Sequence, residues 1–177
     1  NLETAYKGLE NITLIDPSED SPEKEKYAKI LYQIRASKGL TEEEAYSIIS
    51  DANYYACVML YNGDADGIVS GAITNSADVM RPAFQIVKQK SGVPLASSSF
   101  IMEVPKWKAN ELGENGFMVF ADCAVVPHPN AEELAGIAYS SAETAKNICG
   151  MEPRVSLLSY TSFGVNPKDE EVLNIKQ

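Results

Sequence analysis

The sequence predicts an α/β fold with a mainly parallel sheet and flanking helices, and two observations support this prediction. Short apolar runs of strand length alternate with longer stretches of helical periodicity. In chain order they give one strand, three helices and then the series β-α-β-β-α-β. Because a helix between two strands returns the chain to the same end of a sheet, mainly parallel pairing is expected.

The elements of the first part follow from helix-start and turn signals. Pro is favoured at the first helical position, and a Thr followed three residues later by Glu forms a capping box. The predicted elements are a strand at residues 11–16, a helix starting at Ser21-Pro22 with an apolar stripe of Tyr27, Ile30, Leu31 and Ile34, a helix starting at Thr41 with Glu44, and a buried helix at 54–61.

The later elements carry the parallel sheet. Pro82 lies in the early turns of one helix and should bend or tighten it. The predicted elements are strands at residues 67–72, 99–104, 117–122 and 154–160, helices at about 76–90 and from Asn130 to Gly150, and a last helix from Lys168.

Residues 63–88, GDADGIVSGAITNSADVMRPAFQIVK, suggest an anion-binding site. They predict a strand, a Gly/Ser loop and a helix N-terminus, whose N–H groups and dipole favour an anion. Arg81 adds a donor suited to phosphate. An ordinary βα turn that binds nothing remains an alternative for this stretch alone.

Polar residues follow three of the predicted strands, at residues 70–76, 122–128 and 159–162. In open α/β sheets, ligands bind beyond the carboxyl ends of the strands. A ligand site at one edge of the sheet is therefore expected.

Composition narrows the classes of partner. The formal net charge is −10 and the pI is about 4.6, which disfavours nucleic acid as a partner but permits a small polyanion. The three cysteines match no metal or redox motif and predict a reducing, cytoplasmic compartment. No apolar run approaches membrane-spanning length, so no membrane association is expected.

The chain starts without Met and ends inside an apparent helix, so a piece of a longer protein is expected. Its organisation is predicted as parts of two α/β domains. Residues 1–92 carry the Gly/Ser loop, and residues 93–177 form the second part.

The stretch at residues 63–88 resembles the signature of phosphate acetyltransferases (phosphotransacetylases) of the phosphate acetyl/butyryltransferase family. The segments SSSFIMEVP and FMVFADCAVVPHPNAEELAGIAYSSAETAKNICGMEPRVSLLSY resemble further segments of that family in order and spacing. The resemblance covers nearly the whole chain, as a central portion of the family's sequence. Several linked motifs are far more specific than one glycine pattern.

The resemblance implies a function, a fold and a set of partners. The family transfers acetyl reversibly between CoA and inorganic phosphate, with acetyl phosphate as the other partner, and needs no active-site metal or permanently bound cofactor. Its fold is isocitrate/isopropylmalate-dehydrogenase-like, with two α/β domains around a cleft, here truncated. A homodimer is expected.

Site residues are carried over by position in the matching motifs. The Gly/Ser loop and its helix would contact the substrate phosphate or CoA, the end of the strand at 117–122 would supply an acid and a small residue, and the last motif would supply a loop start near the cleft. The expected substrate- and CoA-binding residues are Ser70, Gly71, Thr74, Ser76, Arg81, Asp122, Cys123, Ser159 and Tyr160. The resemblance assigns no general base.

Two departures from the family pattern keep alternatives open. Residues 161–167, TSFGVNP, are similar to the phosphotransacetylase-like domain of some malic enzymes, which would make the chain a non-catalytic acetyl-CoA sensor. The family also places key Ser, Arg and Asp groups in a later segment with no counterpart here. Phosphate butyryl transfer is a further alternative, because acyl length depends on pocket volume.

Overall fold

A computed structural model describes residues 10–89, 91, 93, 95–105, 107, 111–159 and 170–175. The chain divides into two compact units, Asn1–Lys88 and Gln89–Gln177. The domain boundary predicted at residue 92 stays a prediction.

Unit 1 is helical throughout its described regular structure. The start signals hold: the Ser21 hydroxyl accepts a hydrogen bond from the Lys24 N–H at 3.1 Å, and Thr41 and Glu44 form a capping box. The α-helix ends at Pro82 and a wider π-helical turn follows, whereas a bend or tightening was expected. The elements are α1 (Pro22–Arg35), a 3₁₀ turn (Ala36–Lys38), α2 (Glu42–Ile48), α3 (Ala52–Asn62), α4 (Ser76–Pro82) and a π-turn (Ala83–Val87).

One hydrophobic core joins the helices of unit 1. Leu31 of α1 is 1% exposed, and full burial of such a side chain contributes about 1.5–3 kcal/mol. The rings of Tyr27 and Tyr55 meet edge to face with their centroids 4.9 Å apart. The buried members are Tyr27, Ala28, Leu31, Ala45, Ile49, Tyr55, Cys57, Val58 and Ile86. The sequence-predicted stripe of α1 and the apolar α3 therefore build this core.

Two predicted strands of unit 1 are not strands in the structure. Residues 12–16 and 67–71 have no strand ladder, and Val69 and Ile73 are fully exposed. A strand requires a neighbour to accept and donate its backbone hydrogen bonds. Within the described part of unit 1, neither segment has such a neighbour.

Unit 2 contains a two-stranded antiparallel sheet, which corrects the prediction of mainly parallel pairing. Strand β1 (Ser99–Glu103) pairs with β2 (Phe117–Ala121), with Ile101 opposite Val119. The described residues between the two strands, 104–105, 107 and 111–116, contain no α-helix, and consecutive strands joined by a short connection pair antiparallel. At this reversal Gly113 has φ +65°, and a Cβ there would lie 2.0 Å from the Phe117 carbonyl oxygen, so only glycine fits.

Helix α5 (Ala131–Asn147) packs against β2 and begins at a capping box of Asn130 and Glu133, as expected. The predicted strand at 154–160 has no ladder over its described residues, 154–159. A short helix, α6 (Glu170–Ile175), contacts α5. Strands and helices together confirm the α/β class, whereas the dehydrogenase-like parallel sheet is not seen in the described residues.

Candidate functional site

The signature loop, defined as residues 63–81 and so including most of α4, is held near its centre by one buried amide. The Ser70 hydroxyl donates to the Asn53 side-chain oxygen across 2.5 Å. Asn53 lies in the first turn of α3 and is only 8% exposed, whereas Ser70 is exposed. The helix core thereby fixes the position of an otherwise open loop.

Asp64 anchors the start of the signature loop. Its Oδ2 accepts hydrogen bonds from the Tyr27 hydroxyl at 2.7 Å, the Asn62 amide at 2.7 Å and the Lys26 ammonium at 3.1 Å. The Tyr27 hydrogen bond is the largest of the causes that lower the pKa of Asp64 to about 2. Burial, followed by the hydrogen bond to Asp64, raises the pKa of Tyr27.

Asn75 and Asp78 occupy the start of α4. The Asn75 amide oxygen accepts the Asp78 N–H at 3.0 Å, and the Asn75 amide nitrogen donates to the Asp78 carboxylate at 2.7 Å. A carboxylate of the chain therefore already lies near the positive end of this short helix. The expectation that the helix end itself attracts a ligand anion stays a prediction.

Arg81 remains accessible from solvent. Its guanidinium donates to the Asp78 carboxylate at 3.3 Å, and the two side chains are 58% and 45% exposed. An exposed pair of this kind contributes only about 0–1 kcal/mol, so a phosphate can compete for the guanidinium.

The other expected residues of the signature loop lie on the same segment as Ser70. Gly71 is exposed at φ +109°, a conformation that favours glycine. Thr74 is half-buried and Ser76 is exposed. The structure thus leaves Ser70, Gly71 and Ser76 open to solvent in unit 1.

The acidic loop, defined as residues 122–130, follows β2 and is organised by Asp122. The Asp122 carboxylate accepts six hydrogen bonds of 2.8–3.3 Å within the described residues. The donors are the hydroxyls of Ser97 and Ser98 and the N–H groups of Ser98, Ala124, Val125 and Val126. A carboxylate has about four lone-pair positions, so none is left for a ligand.

These donors also set the charge state of Asp122. Burial alone would raise its pKa, but the N–H groups of Ser98, Val125, Ala124 and Val126 outweigh burial and hold the pKa well below its usual range. Asp122 is consequently an anion that stabilises its own loop.

Ser98 links Asp122 to Cys123. Its hydroxyl donates to Asp122 at 3.0 Å and accepts from the N–H groups of Cys123 at 3.2 Å and Ala124 at 2.9 Å. The half-buried Cys123 thiol lies 3.3 Å from the same hydroxyl. Ser98 therefore contacts both Asp122 and its neighbour Cys123.

The last pair of expected residues is only partly described. Ser159 is exposed, and Tyr160 lies outside the described residues. Among the residues described, no group of three or more His, Cys, Asp and Glu side chains could hold a metal ion. No helix in the described part of the chain has the length and apolar character needed to cross a membrane.

Sequence reasoning missed three residues that position the two loops: Asn53, Asp64 and Ser98. The run SSSF before β1 was a usable signal for Ser98, since adjacent hydroxyls often bond to nearby backbone. Asn53 and Asp64 gave little local signal, because Ser70 lies 17 residues from Asn53, and Tyr27 and Lys26 lie 37 and 38 residues from Asp64.

Residues 2–177 match the family described as phosphate acetyl/butaryl transferase. The chain belongs to the phosphate acetyl/butyryltransferase family. A family member from Thermoanaerobacterium thermosaccharolyticum, named phosphate acetyltransferase, is 52% identical over 165 residues, covering 92% of this chain and 49% of the relative. Another of the same name, from Clostridium acetobutylicum, is 41% identical over 92% of this chain and 47% of the relative.

Solved structures of the family agree with the fold. A phosphotransacetylase from Staphylococcus aureus matches with a TM-score of 0.78 and 33% identity, over 99% of this chain and 49% of that one. A phosphotransacetylase from Streptococcus pyogenes matches with a TM-score of 0.78 and 36% identity, over 94% of this chain and 48% of that one. The chain thus spans about half the length of these family members.

Proposed function

We propose that the chain belongs to a phosphate acetyltransferase that transfers acetyl reversibly between CoA and inorganic phosphate. The observation that carries the proposal is the 52% identity to a phosphate acetyltransferase over 165 residues, which cover 92% of this chain. The geometry is compatible with it, because the signature loop offers exposed polar groups and a cation.

Arg81 is proposed to hold the phosphate of acetyl phosphate. Its planar guanidinium can donate two parallel hydrogen bonds to phosphate oxygens. The competing Asp78 contact is exposed and 3.3 Å long, so exchange of Asp78 for a phosphate costs little. Thr74 and Ser76 would add hydroxyl donors from the same segment.

In the proposed reaction, the CoA thiolate attacks the acetyl carbonyl carbon, a C–S bond forms and the C–O bond to phosphate breaks. Phosphate leaves with the bonding electron pair, and the guanidinium of Arg81 stabilises that growing charge. A base must accept the thiol proton. Asp122 is unsuited to this task, because its oxygens are occupied and its pKa is far below neutrality.

Asp122 is instead proposed to shape the acidic loop, which would present Cys123 to the substrate. The thiol is half-buried beside the Ser98 hydroxyl. The proposed contacts of Gly71, Ser159 and Tyr160 with CoA rest on the motif positions alone.

The remaining expectations belong to the whole protein. CoA would act as a substrate, with no permanently bound cofactor, in a cytoplasmic homodimer of isocitrate-dehydrogenase-like fold. All three cysteines are free thiols, which suits a reducing compartment. The family resemblance supports the rest.

The test is an acetyl-transfer assay on the product of the complete open reading frame. Acetyl phosphate and CoA should give acetyl-CoA and phosphate in equal amounts, and butyryl phosphate should react much more slowly. A product that forms no thioester from either acyl phosphate would contradict the enzyme proposal, and a preference for butyryl phosphate would reassign the acyl group.

A second candidate is a non-catalytic acetyl-CoA-sensing domain, favoured by the Phe163-Gly164 pair. Equilibrium binding of acetyl-CoA without turnover, together with malic-enzyme activity of the same polypeptide, would select this candidate.

A further inference from the structure

The buried side-chain amide of Asn53 lies beneath the exposed signature loop. Asn53 is one of two polar residues that are buried in the described part of the chain, and its side-chain oxygen contacts the hydroxyl of exposed Ser70. The motif position of Ser70 predicts a contact with the substrate phosphate or CoA without distinguishing them, and no role is assigned to Asn53.

The two atoms in contact fix the direction of this hydrogen bond. The Ser70 hydroxyl lies 2.5 Å from the side-chain oxygen of Asn53, and an amide oxygen can only accept. Ser70 therefore donates and Asn53 accepts. A serine hydroxyl has one hydrogen and two lone pairs, so Ser70 keeps only acceptor capacity for a ligand.

An acceptor at this position discriminates between the two candidate ligands. Ionised phosphate oxygens are also acceptors, so a hydroxyl whose hydrogen is already donated to Asn53 cannot form a hydrogen bond with them. The pantetheine arm of CoA carries amide N–H groups and a hydroxyl, all of which can donate. The adenosine portion of CoA adds an amino group and a ribose hydroxyl, so Ser70 suits a donor group of CoA. The arm is the portion that also carries the reacting thiol.

We propose that Asn53 is a positioning residue that fixes Ser70 as a hydrogen-bond acceptor for the pantetheine arm of CoA. The proposal rests on the proposed function, in which CoA is a substrate. Asn53 acts through Ser70 and does not itself touch the ligand. Two residues of the signature loop then bind different ligand groups: Ser70 contacts the arm and Arg81 binds phosphate.

Calorimetric binding to the product of the complete open reading frame tests the proposal. The ligands are CoA, its adenosine bisphosphate portion, which lacks the arm, and inorganic phosphate. Ser70→Ala and Asn53→Leu should each weaken CoA binding about threefold to tenfold, which corresponds to the loss of one hydrogen bond. The affinities for the other two ligands should not change. Asn53→Asp keeps an oxygen acceptor and should bind CoA as the parent protein does.

The double variant adds a readout that a merely structural role would not move. If Asn53 acts through Ser70, Ser70→Ala with Asn53→Leu should bind CoA no more weakly than Ser70→Ala alone. Additive losses, or equal weakening of phosphate and CoA, would overturn the proposal. If Asn53→Leu fails to fold, Ser70→Ala at an exposed position still decides, and unchanged CoA binding overturns the proposal.

The acetyl-transfer assay separates this inference from the proposed function. If the protein forms acetyl-CoA but its Ser70→Ala variant binds CoA normally, the proposed function stands and this inference fails. If the protein transfers no acetyl group but its CoA binding depends on Ser70 and Asn53 as described, this inference stands and the proposed function fails.

Discussion

The signature loop and the acidic loop were predicted as equal parts of one site, but they differ in how their polar groups are used. In the signature loop, Ser70 and Arg81 each have one described side-chain partner and are exposed. In the acidic loop, Asp122 alone accepts six hydrogen bonds from its own unit.

The difference teaches that residue type and position in a motif do not identify a ligand group. A carboxylate at a strand end is available to a ligand only if its own backbone leaves it lone pairs. Asp122 matches the motif but has no lone pair left, whereas Arg81 matches the motif and has one described partner, the exposed carboxylate of Asp78. Four predictions follow from this comparison, in order of decreasing effect.

Replacing Asp122 should have the largest effect, and the effect should fall on stability. Asp122→Ala leaves several N–H groups of the acidic loop without their acceptor, at a cost of about 2–3 kcal/mol. Asp122→Asn keeps one acceptor oxygen and should cost less. Urea unfolding measures both.

Asp66→Ala is the matched control for Asp122, because Asp66 is an exposed carboxylate of the signature loop. It should cost less than about 0.5 kcal/mol. Equal costs at the two positions would mean that the two loops do not differ.

Arg81→Ala should chiefly affect ligand binding. Loss of a charged hydrogen-bond pair should raise the KM for acetyl phosphate about tenfold or more, with little change in the urea midpoint. Steady-state kinetics measure the change, and Lys88→Ala, at a nearby exposed cation, should leave KM unchanged. A normal KM in Arg81→Ala would remove Arg81 from the site.

Tyr27→Phe tests how firmly the start of the signature loop is anchored. Tyr27 is 5% exposed, and its hydroxyl donates to Asp64 at 2.7 Å, so its loss should cost about 1 kcal/mol. Tyr46→Phe removes a hydroxyl that donates to exposed Asp20 and should cost less than about half as much. Thermal or urea unfolding compares the two, and the reverse order would show that Asp64 does not anchor the loop.

The pH dependence of stability should change slightly in Asp64→Asn. The folded-state pKa of Asp64 is lowered to about 2 from 3.8, so its contribution is present above pH 4 and is lost as the pH falls towards 2. The variant should therefore lose less stability than the parent between these values. Identical unfolding curves from pH 5 to pH 2 would contradict the assigned hydrogen bonds.

Sequence reasoning found the local features and missed the long-range ones. The caps at Ser21, Thr41 and Asn130 and the core face of α1 follow from spacing within one turn or one helix. The parallel sheet was wrong for the described residues, because strand pairing depends on neighbours that periodicity does not specify.

The candidate site shows the same limit. The positions of Ser70, Arg81 and Asp122 came from motifs, but the availability of Ser70 and Asp122 to a ligand depends in part on distant partners. Asn53 lies 17 residues before Ser70, and Ser97 and Ser98 lie 25 and 24 residues before Asp122. No local pattern shows which lone pairs remain free.

Hydrogen exchange with and without CoA, read by mass spectrometry on peptides from both loops, tests the comparison most directly. The signature loop should exchange fast in the free protein and slow by about threefold or more when CoA binds. The acidic loop should exchange slowly in both states, since Asp122 already holds its N–H groups. CoA protection confined to the acidic loop, with a signature loop that does not respond, would contradict the account.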